Sequence, residues 1–238
     1  IQHLPAKRQN LLFSATMPEK IRQLARRILH EPVEVNIAIS RPPDKIRQGA
    51  YVVYEAQKNP VIAHVLKSIP YKNALIFCSR KHTVKQLTRE LKHQRFNVAE
   101  IHSDLEQSER ENVLSAFAGG RIPLLVATDI LSRGIDIDTI DLVINYDVPD
   151  DGEDYVHRIG RTARAEATGT AVTLVSEIDQ RKFAGIERLI QKEVEKMPIP
   201  TELGPGPQYA PMERRPKKPG GGRPGGSGRP GGSRGFQG

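Results

Sequence analysis

The sequence predicts one open α/β domain over residues 49–197, with a mostly parallel sheet and helices on both faces. At 238 residues, the chain has room for one large domain and smaller flanking pieces. Short apolar runs rich in β-branched residues alternate along it with stretches of helical period. This alternation is typical of βα units arranged around a parallel sheet.

The elements follow in a regular order. The strands are predicted at six apolar runs, namely 50–54, 74–78, 98–101, 124–127, 142–146 and 171–175. Two helices are predicted from apolar stripes, the first formed by Val84, Leu87 and Leu91 and the second by Val113, Leu114 and Phe117. Two further helices are predicted at 152–161 and 180–192. Strands and helices therefore alternate through most of the domain.

Different pieces flank this domain on both sides. Residues 1–39 form a separate piece, with a helix predicted at 18–30 and a strand at 33–37, and residues 40–48 break periodicity as a linker does. From residue 203 onwards the chain has 12 of its 20 glycines and 7 of its 18 prolines. Such a composition buries too little apolar surface to offset its ordering entropy. We therefore predict a disordered tail over 198–238.

Charge and cysteine content narrow the functional classes. Lysine and arginine number 36 against 28 acidic residues, and the net charge of +8 predicts a polyanionic partner. Cys78 is the single cysteine, which excludes an internal disulfide and a cysteine-rich zinc site and favours a reducing compartment. No apolar run approaches the roughly 18 residues that cross a bilayer. These features predict a cytoplasmic protein that uses no membrane.

The stretch 155–165, YVHRIGRTARA, concentrates positive charge. If it continues the helix that begins near residue 152, His157, Arg161 and Arg164 share one face, with Arg158 beside them. Guanidinium groups so close together repel one another unless an anion lies between them. The stretch therefore indicates either a triphosphate site or a solvated basic face.

The stretch 127–136, ATDILSRGID, begins where a predicted strand ends. Ligands of open α/β sheets bind beyond the carboxyl ends of the strands. The residues placed there are Thr128, Asp129, Arg133, Gly134 and Asp136. Gly134 permits a backbone contact with phosphate, and the Asp136 carboxylate suits a ribose hydroxyl. The alternative is that Asp129 caps a turn and Asp136 is a surface acid.

A third stretch, FSATMP at 13–18, places Ser14 and Thr16 before a predicted helix. Taken alone, these two hydroxyl residues are typical of helix N-caps.

The three stretches occur together in an order that resembles the DEAD-box RNA helicases of superfamily 2. Ser14, Ala15 and Thr16 match the SAT motif, and IFCSR at 76–80 resembles motif four. QSER at 107–110 matches the Gln-x-x-Arg element, ATDILSRGIDI at 127–137 resembles motif five, and HRIGRTAR at 157–164 resembles motif six. The resemblance spans residues 1–200. ARAEATG at 163–169, IERLIQKE and the basic tail are most similar to the RhlE-like bacterial helicases.

The resemblance implies two RecA-like domains, of the P-loop NTPase superfamily, that close over ATP and single-stranded RNA. This chain would supply the second domain and a remnant of the first. Arg164 would be the arginine finger on the γ-phosphate, with Arg161 beside it, while Asp136 and Gly134 would bind the nucleotide. Coupling between the domains would involve Ser14, Thr16, Arg133, His157 and Arg158. The residues implied in RNA binding are Arg80, Gln107, Arg110, Thr128 and Gly134.

The chain departs from the family pattern in several places. Ser103 and Ala163 stand where the family usually has glycine, and one added methyl predicts a small local adjustment. The sequence contains neither a phosphate-cradling Gly-x-x-x-x-Gly-Lys loop nor a DEAD tetrad. We therefore expect the Mg²⁺ ligands in an N-terminal RecA-like domain upstream of Ile1, and no ATP hydrolysis by this chain alone.

Two other functions remain open at this point. A DNA helicase of the same superfamily would share the fold and the arginine pair, and a stand-alone nucleic-acid-binding module would need no first domain. The tail, with seven basic residues and one acid from residue 203, is expected either to tether RNA or to keep the protein soluble. The RhlE-like resemblance also implies partners in ribosome assembly or RNA decay.

Overall fold

A computed structural model describes residues 5, 7–13, 17, 19–35, 45–129, 140–162 and 168–211, with backbone alone at 19 and 20. The helices are α1 Glu19–Ile28, α2 Lys58–Ser68, α3 Lys81–His93, α4 Gln107–Ala118, α5 Gly152–Ile159 and α6 Gln180–Ile190. The strands are β1 Ile46–Val53, β2 Ala74–Cys78, β3 Val98–Ile101, β4 Leu124–Thr128, β5 Leu142–Asn145, β6 Gly169–Ser176 and β7 Glu195–Lys196. None of the described helices is long and apolar enough to cross a membrane.

The seven strands form one sheet in the order β3-β4-β2-β5-β6-β1-β7, and every pair is parallel. Cys78 at the end of β2 lies opposite Thr128 at the end of β4, and Ile101 of β3 lies opposite Ala127. The strands therefore end at a common level. Because all the strands are parallel, the loops that follow them all begin at this carboxyl edge. Ligands of such sheets bind there.

Helices cover both faces of the sheet because alternate strand residues point to opposite sides. On one face, Ile76 and Cys78 pack in a core with Val84 and Leu87 of α3 and with the apolar residues of α2. On the other face, α4 packs through Phe117, and α5 and α6 pack through Tyr155 and Phe183. This doubly covered parallel sheet confirms the predicted fold class.

Prediction and structure agree best at β2 and at the edge strand β3. The strands predicted at 74–78 and 98–101 have the observed bounds, and the others differ by one to four residues at an end. The helix predicted at 152–161 ends at Ile159, because Gly160 follows it as a cap. The two-residue strand β7 was not predicted, since its sequence lacks any apolar alternation.

The N-terminal piece contains the predicted helix but not the predicted strand. Residues 19–28 are helical, whereas 33–35, the described part of 33–37, have no regular structure. Val33 is 91% exposed and Val35 81% exposed. A strand needs a neighbour to satisfy its backbone groups, and no described strand lies beside these residues. The prediction of a strand there is wrong over the described residues.

The predicted boundary of the tail at residue 198 is also wrong, because residues 198–211 pack along the domain. The Gln57 side chain donates to the carbonyl oxygen of Leu203 at 2.9 Å. Gln180 bonds the same segment twice, by donating to the Gln208 carbonyl oxygen and accepting from the Ala210 amide. The Tyr209 hydroxyl donates to Glu187 at 2.6 Å. Residues 212–238 lie outside the described part.

This segment, residues 198–211, generates a stability prediction at Gly206. A Cβ at position 206 would overlap the backbone oxygen of Val52, which cannot move without disturbing β1. We expect Gly206→Ala to lower the free energy of unfolding by about 1–3 kcal/mol, as overpacking does. Urea titration followed by circular dichroism measures the change.

Gly185 supplies the matched control. It lies inside α6, and a Cβ there would meet nothing within 4 Å. Gly185→Ala should therefore raise stability by about 0.5–1 kcal/mol, because alanine loses less backbone entropy in a helix. If Gly206→Ala unfolds at the same urea concentration as the parent chain, the close packing of this segment against β1 is incorrect.

Candidate functional site

The carboxyl edge of the sheet collects most of the described candidate residues. Arg80 follows β2, Thr128 ends β4, and the loop after β3 begins at His102. Because β3, β4 and β2 are neighbours in register, these residues come from three adjacent strand ends. The edge thus presents one continuous surface, in agreement with the rule that placed a site there.

Arg80 is an exposed cation on this surface. It is extended at the N-cap of α3, and no described side chain forms an ion pair with it. Its side chain lines an open cleft of about 680 Å³ at the ends of β1, β2, β5 and β6. Thr128 ends the neighbouring strand β4 and lies opposite Cys78, two residues before Arg80. Its side chain is buried, so it can offer a ligand little beyond its backbone and its hydroxyl. Among the described candidate residues of this edge, Arg80 is therefore the most available phosphate ligand.

Arg110, a second candidate, is turned towards the protein backbone. Its Nε donates to the carbonyl oxygen of Leu105 at 2.9 Å, and its Nη2 donates to that of Ser103 at 3.1 Å. The guanidinium therefore holds the loop after β3 in place. Ser103, where the family usually has glycine, does not have a positive φ, so its Cβ introduces no backbone strain.

Asp104 in the same loop joins it to helix α3. Its carboxylate accepts from Lys81 at 2.7 Å and from Lys85 at 2.9 Å. These two hydrogen bonds lower the pKa of Asp104 to about 2. Sequence reasoning missed Asp104, Lys81 and Lys85, although Asp104 and Lys81 each lie only three residues after the end of a strand. Gln107, the remaining candidate nearby, donates to Glu111 on the outside of α4.

Arg158 forms an extensive buried polar network of four hydrogen bonds. Its side chain is only 3% exposed, and its Nε and Nη2 donate to the two carboxylate oxygens of Asp129 at 2.6 and 2.5 Å. Its Nη1 donates to Asn145 Oδ1 at 3.2 Å and to the Asp147 carbonyl oxygen at 3.0 Å. The guanidinium also lies 5.3 Å from the ring centre of Phe77. One arginine thus connects α5 to β2, β4 and β5.

This geometry changes the interpretation of Arg158 and Asp129. Sequence reasoning placed Arg158 beside the basic face and offered a cap role for Asp129. Instead, Arg158 points into the domain, and Asp129 receives its guanidinium as a bidentate pair. Any contribution of Arg158 to coupling must act through the position of the segment that begins at Asp129.

A second buried cation lies under the cleft. Lys58 is almost fully buried, and its Nζ lies 3.1 Å from Asp147 Oδ1 and 3.1 Å from Glu55 Oε2. Burial lowers the pKa of Lys58, but Asp147 and Glu55 outweigh that effect and raise it above the ordinary value. Asp147 also accepts from the Ser79 amide at 2.8 Å. The pair therefore fixes the start of the segment that contains Arg80.

The far end of α5 lies at the opposite edge of the sheet. The helix ends at Ile159, and Thr162 pairs with Ile140, two residues before β5 begins. Thr162 also packs against Gly169, the first residue of β6, where any Cβ would overlap it. Arg161, next to Thr162 and partly buried, therefore lies towards the amino edge.

The shared face of His157, Arg161 and Arg164 depended on a helix that continues through this stretch, and α5 does not continue. Because α5 ends at Ile159, Arg161 does not share a helical face with the exposed His157. Several candidates lie outside the described residues, namely Ser14, Thr16, Arg133, Gly134, Asp136 and Arg164. Among the residues that the structure describes, no group of three or more histidines, cysteines or acids could hold a metal ion.

The Arg158 network yields a stability prediction. We expect Arg158→Ala to lower the free energy of unfolding by about 1–3 kcal/mol, because it removes the hydrogen-bond donor of Asn145 Oδ1 and of the Asp147 carbonyl oxygen. Chemical denaturation measures the loss. Burial raises the pKa of the Cys78 thiol well above its usual range, so the rate of thiol labelling gives an independent measure of opening. That rate should rise in the variant.

Arg188 on α6 provides the control for this substitution. It is exposed, and its Nε donates only to the carbonyl oxygen of Ala184 at 3.3 Å. Arg188→Ala should change stability by no more than about 0.5 kcal/mol. An equally small effect of Arg158→Ala would show that the buried network contributes nothing net to the fold.

Comparison with known proteins places this geometry in a family. Residues 57–166 match the helicase conserved C-terminal domain. The chain is 41% identical over 202 residues to DEAD-box ATP-dependent RNA helicase 14 of Arabidopsis thaliana, covering 83% of this chain and 32% of that protein. It therefore spans about a third of the length of this curated relative.

Two solved structures show the same fold. Dbp5 of S. cerevisiae bound to RNA and ADP BeF3 matches with a TM-score of 0.74 at 30% identity, covering 83% of this chain and 53% of that one. The E. coli DEAD-box protein SrmB, bound to regulator of ribonuclease activity A, matches with a TM-score of 0.62 at 31% identity, covering 73% of this chain and 98% of that one. The chain belongs to the DEAD-box RNA helicase family and contains its RecA-like C-terminal domain.

Proposed function

We propose that this chain is the C-terminal part of an ATP-dependent enzyme that unwinds or remodels RNA. It supplies half of the RNA-binding surface and the arginines that act on the nucleotide. The observation that supports this function is the arrangement of the carboxyl edge, where an unpaired Arg80 and the end of β4 lie side by side. Dbp5, which has the same fold, is bound to RNA in its solved structure.

The RNA surface would consist of one free cation supported by residues that position it. Arg80 would contact phosphate, and Thr128 would contact the backbone of the strand from the neighbouring strand end. Arg110 would act indirectly, since it holds the loop over 103–105 through two carbonyl oxygens. Gln107 and Gly134 complete the proposed surface. Such contacts to the backbone carry no sequence information, which suits an enzyme that acts on many RNAs.

Of the residues assigned to ATP, Arg161 alone is described. A guanidinium suits phosphate oxygens, because its fork of donors matches them in pairs. Arg161 lies between Arg158, in the last turn of α5, and Thr162, which pairs with Ile140, so its backbone is held on both sides. Arg164 would act as the arginine finger on the γ-phosphate, with Asp136 and Gly134 at the ribose and phosphates.

The remaining parts of the proposal follow from the family. When bound, ATP supplies the energy of phosphoryl transfer, and its Mg²⁺ would be held by an N-terminal RecA-like domain. Ser14, Thr16, Arg133 and His157 would couple the two domains. Arg158 would contribute to this coupling indirectly, by fixing α5 relative to Asp129. Membership of the RhlE-like group, and partners in ribosome assembly or RNA decay, remain predictions.

The RNA surface can be tested at Arg80. We expect Arg80→Ala to weaken binding of single-stranded RNA and to reduce the slope of log affinity against log salt by about 0.7, the value for one phosphate contact. Fluorescence anisotropy over a range of salt concentrations measures both. Arg121→Ala, which removes an exposed arginine from the turn before β4 at the amino edge, should leave the slope unchanged. Equal slopes for the parent and Arg80→Ala chains would rule out the proposed contact.

The nucleotide role can be tested at Arg164 in the complete enzyme. Arginine fingers contribute about 10³ to 10⁵ in rate to phosphoryl transfer in P-loop NTPases. Arg164→Ala should therefore abolish most RNA-stimulated ATP hydrolysis while RNA binding is retained, as measured by phosphate release and by anisotropy. Arg121→Ala again serves as the control. Hydrolysis near the parent rate in Arg164→Ala would refute this role.

A further inference from the structure

Helix α3 forms a groove that the family motifs do not include. The groove, about 490 Å³, runs between the outer face of the helix and the edge strand β3, and we call it the α3 groove. Its lining residues are Lys85, Thr88, Arg89, Lys92, His93 and Glu100. Three of these are permanent cations and one is an acid, so the groove has a net positive charge.

The cations of the α3 groove lie on one face of the helix. Lys85, Arg89 and Lys92 are separated by four and three residues, the spacing that places side chains in one row. The row spans about 10 Å along the helix axis. This length corresponds to roughly three phosphates of a stacked nucleic-acid strand. A row of this kind can therefore follow a phosphate backbone.

Two of these cations have no counter-charge within the described part of the chain. Lys85 is paired with Asp104, but neither Arg89 nor Lys92 forms an ion pair with any described residue, and both are exposed. Glu100, the one acid of the groove, lies 3.7 Å from His102 Nε2. The hydroxyl of Thr88, buried beneath the groove, also has no hydrogen-bond partner. The groove thus offers unused donors to an anion.

The α3 groove is continuous with the carboxyl edge. Arg80 precedes the first residue of α3, and Asp104 joins Lys81 and Lys85 to the loop after β3. A strand that leaves Arg80 along α3 therefore passes from the edge directly into the groove. Since β3 is the outermost strand on this side, the path follows the margin of the sheet rather than crossing it.

The chemistry of the groove favours RNA over a protein partner. Stable protein interfaces are built around buried aromatic or aliphatic anchors. No exposed large apolar side chain of the described residues belongs to α3 or β3. A phosphate backbone requires only charge and hydrogen-bond donors, which the groove provides. We propose that the α3 groove extends the RNA-binding surface and holds the phosphates of the strand beyond Arg80, an inference that rests on the proposed function.

The test compares charge-reversal variants of the full 238-residue chain. Arg89→Glu with Lys92→Glu removes the two unpaired cations of the groove. Lys67→Glu with Lys72→Glu is the matched control, since both lysines are exposed, lie outside the carboxyl edge and give the same change in net charge. Anisotropy is measured with single-stranded RNAs of roughly six and roughly 20 nucleotides, within and beyond the span of one site.

We expect the groove variant to bind the longer RNA more weakly than the control variant, with a salt slope lower by roughly 1.4 for two lost contacts. Binding of the shorter RNA should be affected equally in the two variants. Thermal melting checks that both are folded. Equal losses in the two variants for the longer RNA, or no loss in either, would overturn the inference. If the groove binds an acidic protein instead of RNA, neither variant should lose affinity for the longer RNA.

Arg80→Ala separates failure of this inference from failure of the proposed function. If Arg80→Ala weakens RNA binding and the groove variant matches its control, the carboxyl edge binds RNA and the groove does not. If Arg80→Ala has no effect while the groove variant loses affinity and slope, the groove binds RNA without the proposed edge contact. Each outcome assigns the RNA contact to a different set of residues.

Discussion

The buried ion pair between Arg158 and Asp129 is the constraint on which the functional arrangement depends. Transfer of a guanidinium out of water costs several kcal/mol, and it is offset here only because four acceptors receive its donors. Asp129 stays partly hydrated, with 38% of its side chain exposed. The pair therefore need not add much net stability. What it determines is where α5 lies relative to the end of β4.

That position matters because α5 connects the two edges of the sheet. The helix has eight residues and is about 12 Å long. Arg158 fixes it to the carboxyl edge, where the proposed RNA contacts lie, whereas Thr162 fixes the chain after it to the amino ends of β5 and β6. Arg161 comes between these two attachments. A shift of Asp129 on RNA binding would therefore move the backbone of Arg161, the arginine proposed to act on the nucleotide, which gives the proposed coupling a physical route.

The sequence predicted the strands of the sheet better than the end of α5 and the segment 198–211, for physical reasons. Strand β2 is buried on both faces, so its apolar run has sharp limits and its bounds were predicted correctly. The end of α5 depends on how Gly160 and Thr162 meet β5 and β6, which no local period encodes. Residues 198–211 contain glycine and proline but are held by Gln57, Gln180 and Glu187, and such distant partners leave no signal in composition.

Charge shows the same contrast between what composition indicates and what contacts with distant residues determine. Residues 1–202 contain 29 basic and 27 acidic residues, so the net charge of the chain comes mainly from its end and says little about the domain. Within the domain, a cation is available to phosphate only if no acid already pairs with it. Lys81 and Lys85 share the single carboxylate of Asp104, so phosphate would have to compete with a carboxylate whose pKa is already lowered to about 2. Arg80, Arg89 and Lys92 face no such competition, because no described acid pairs with them. Among the cations of α3 and the strand end before it, phosphate contacts should therefore fall on these three rather than on Lys81 and Lys85.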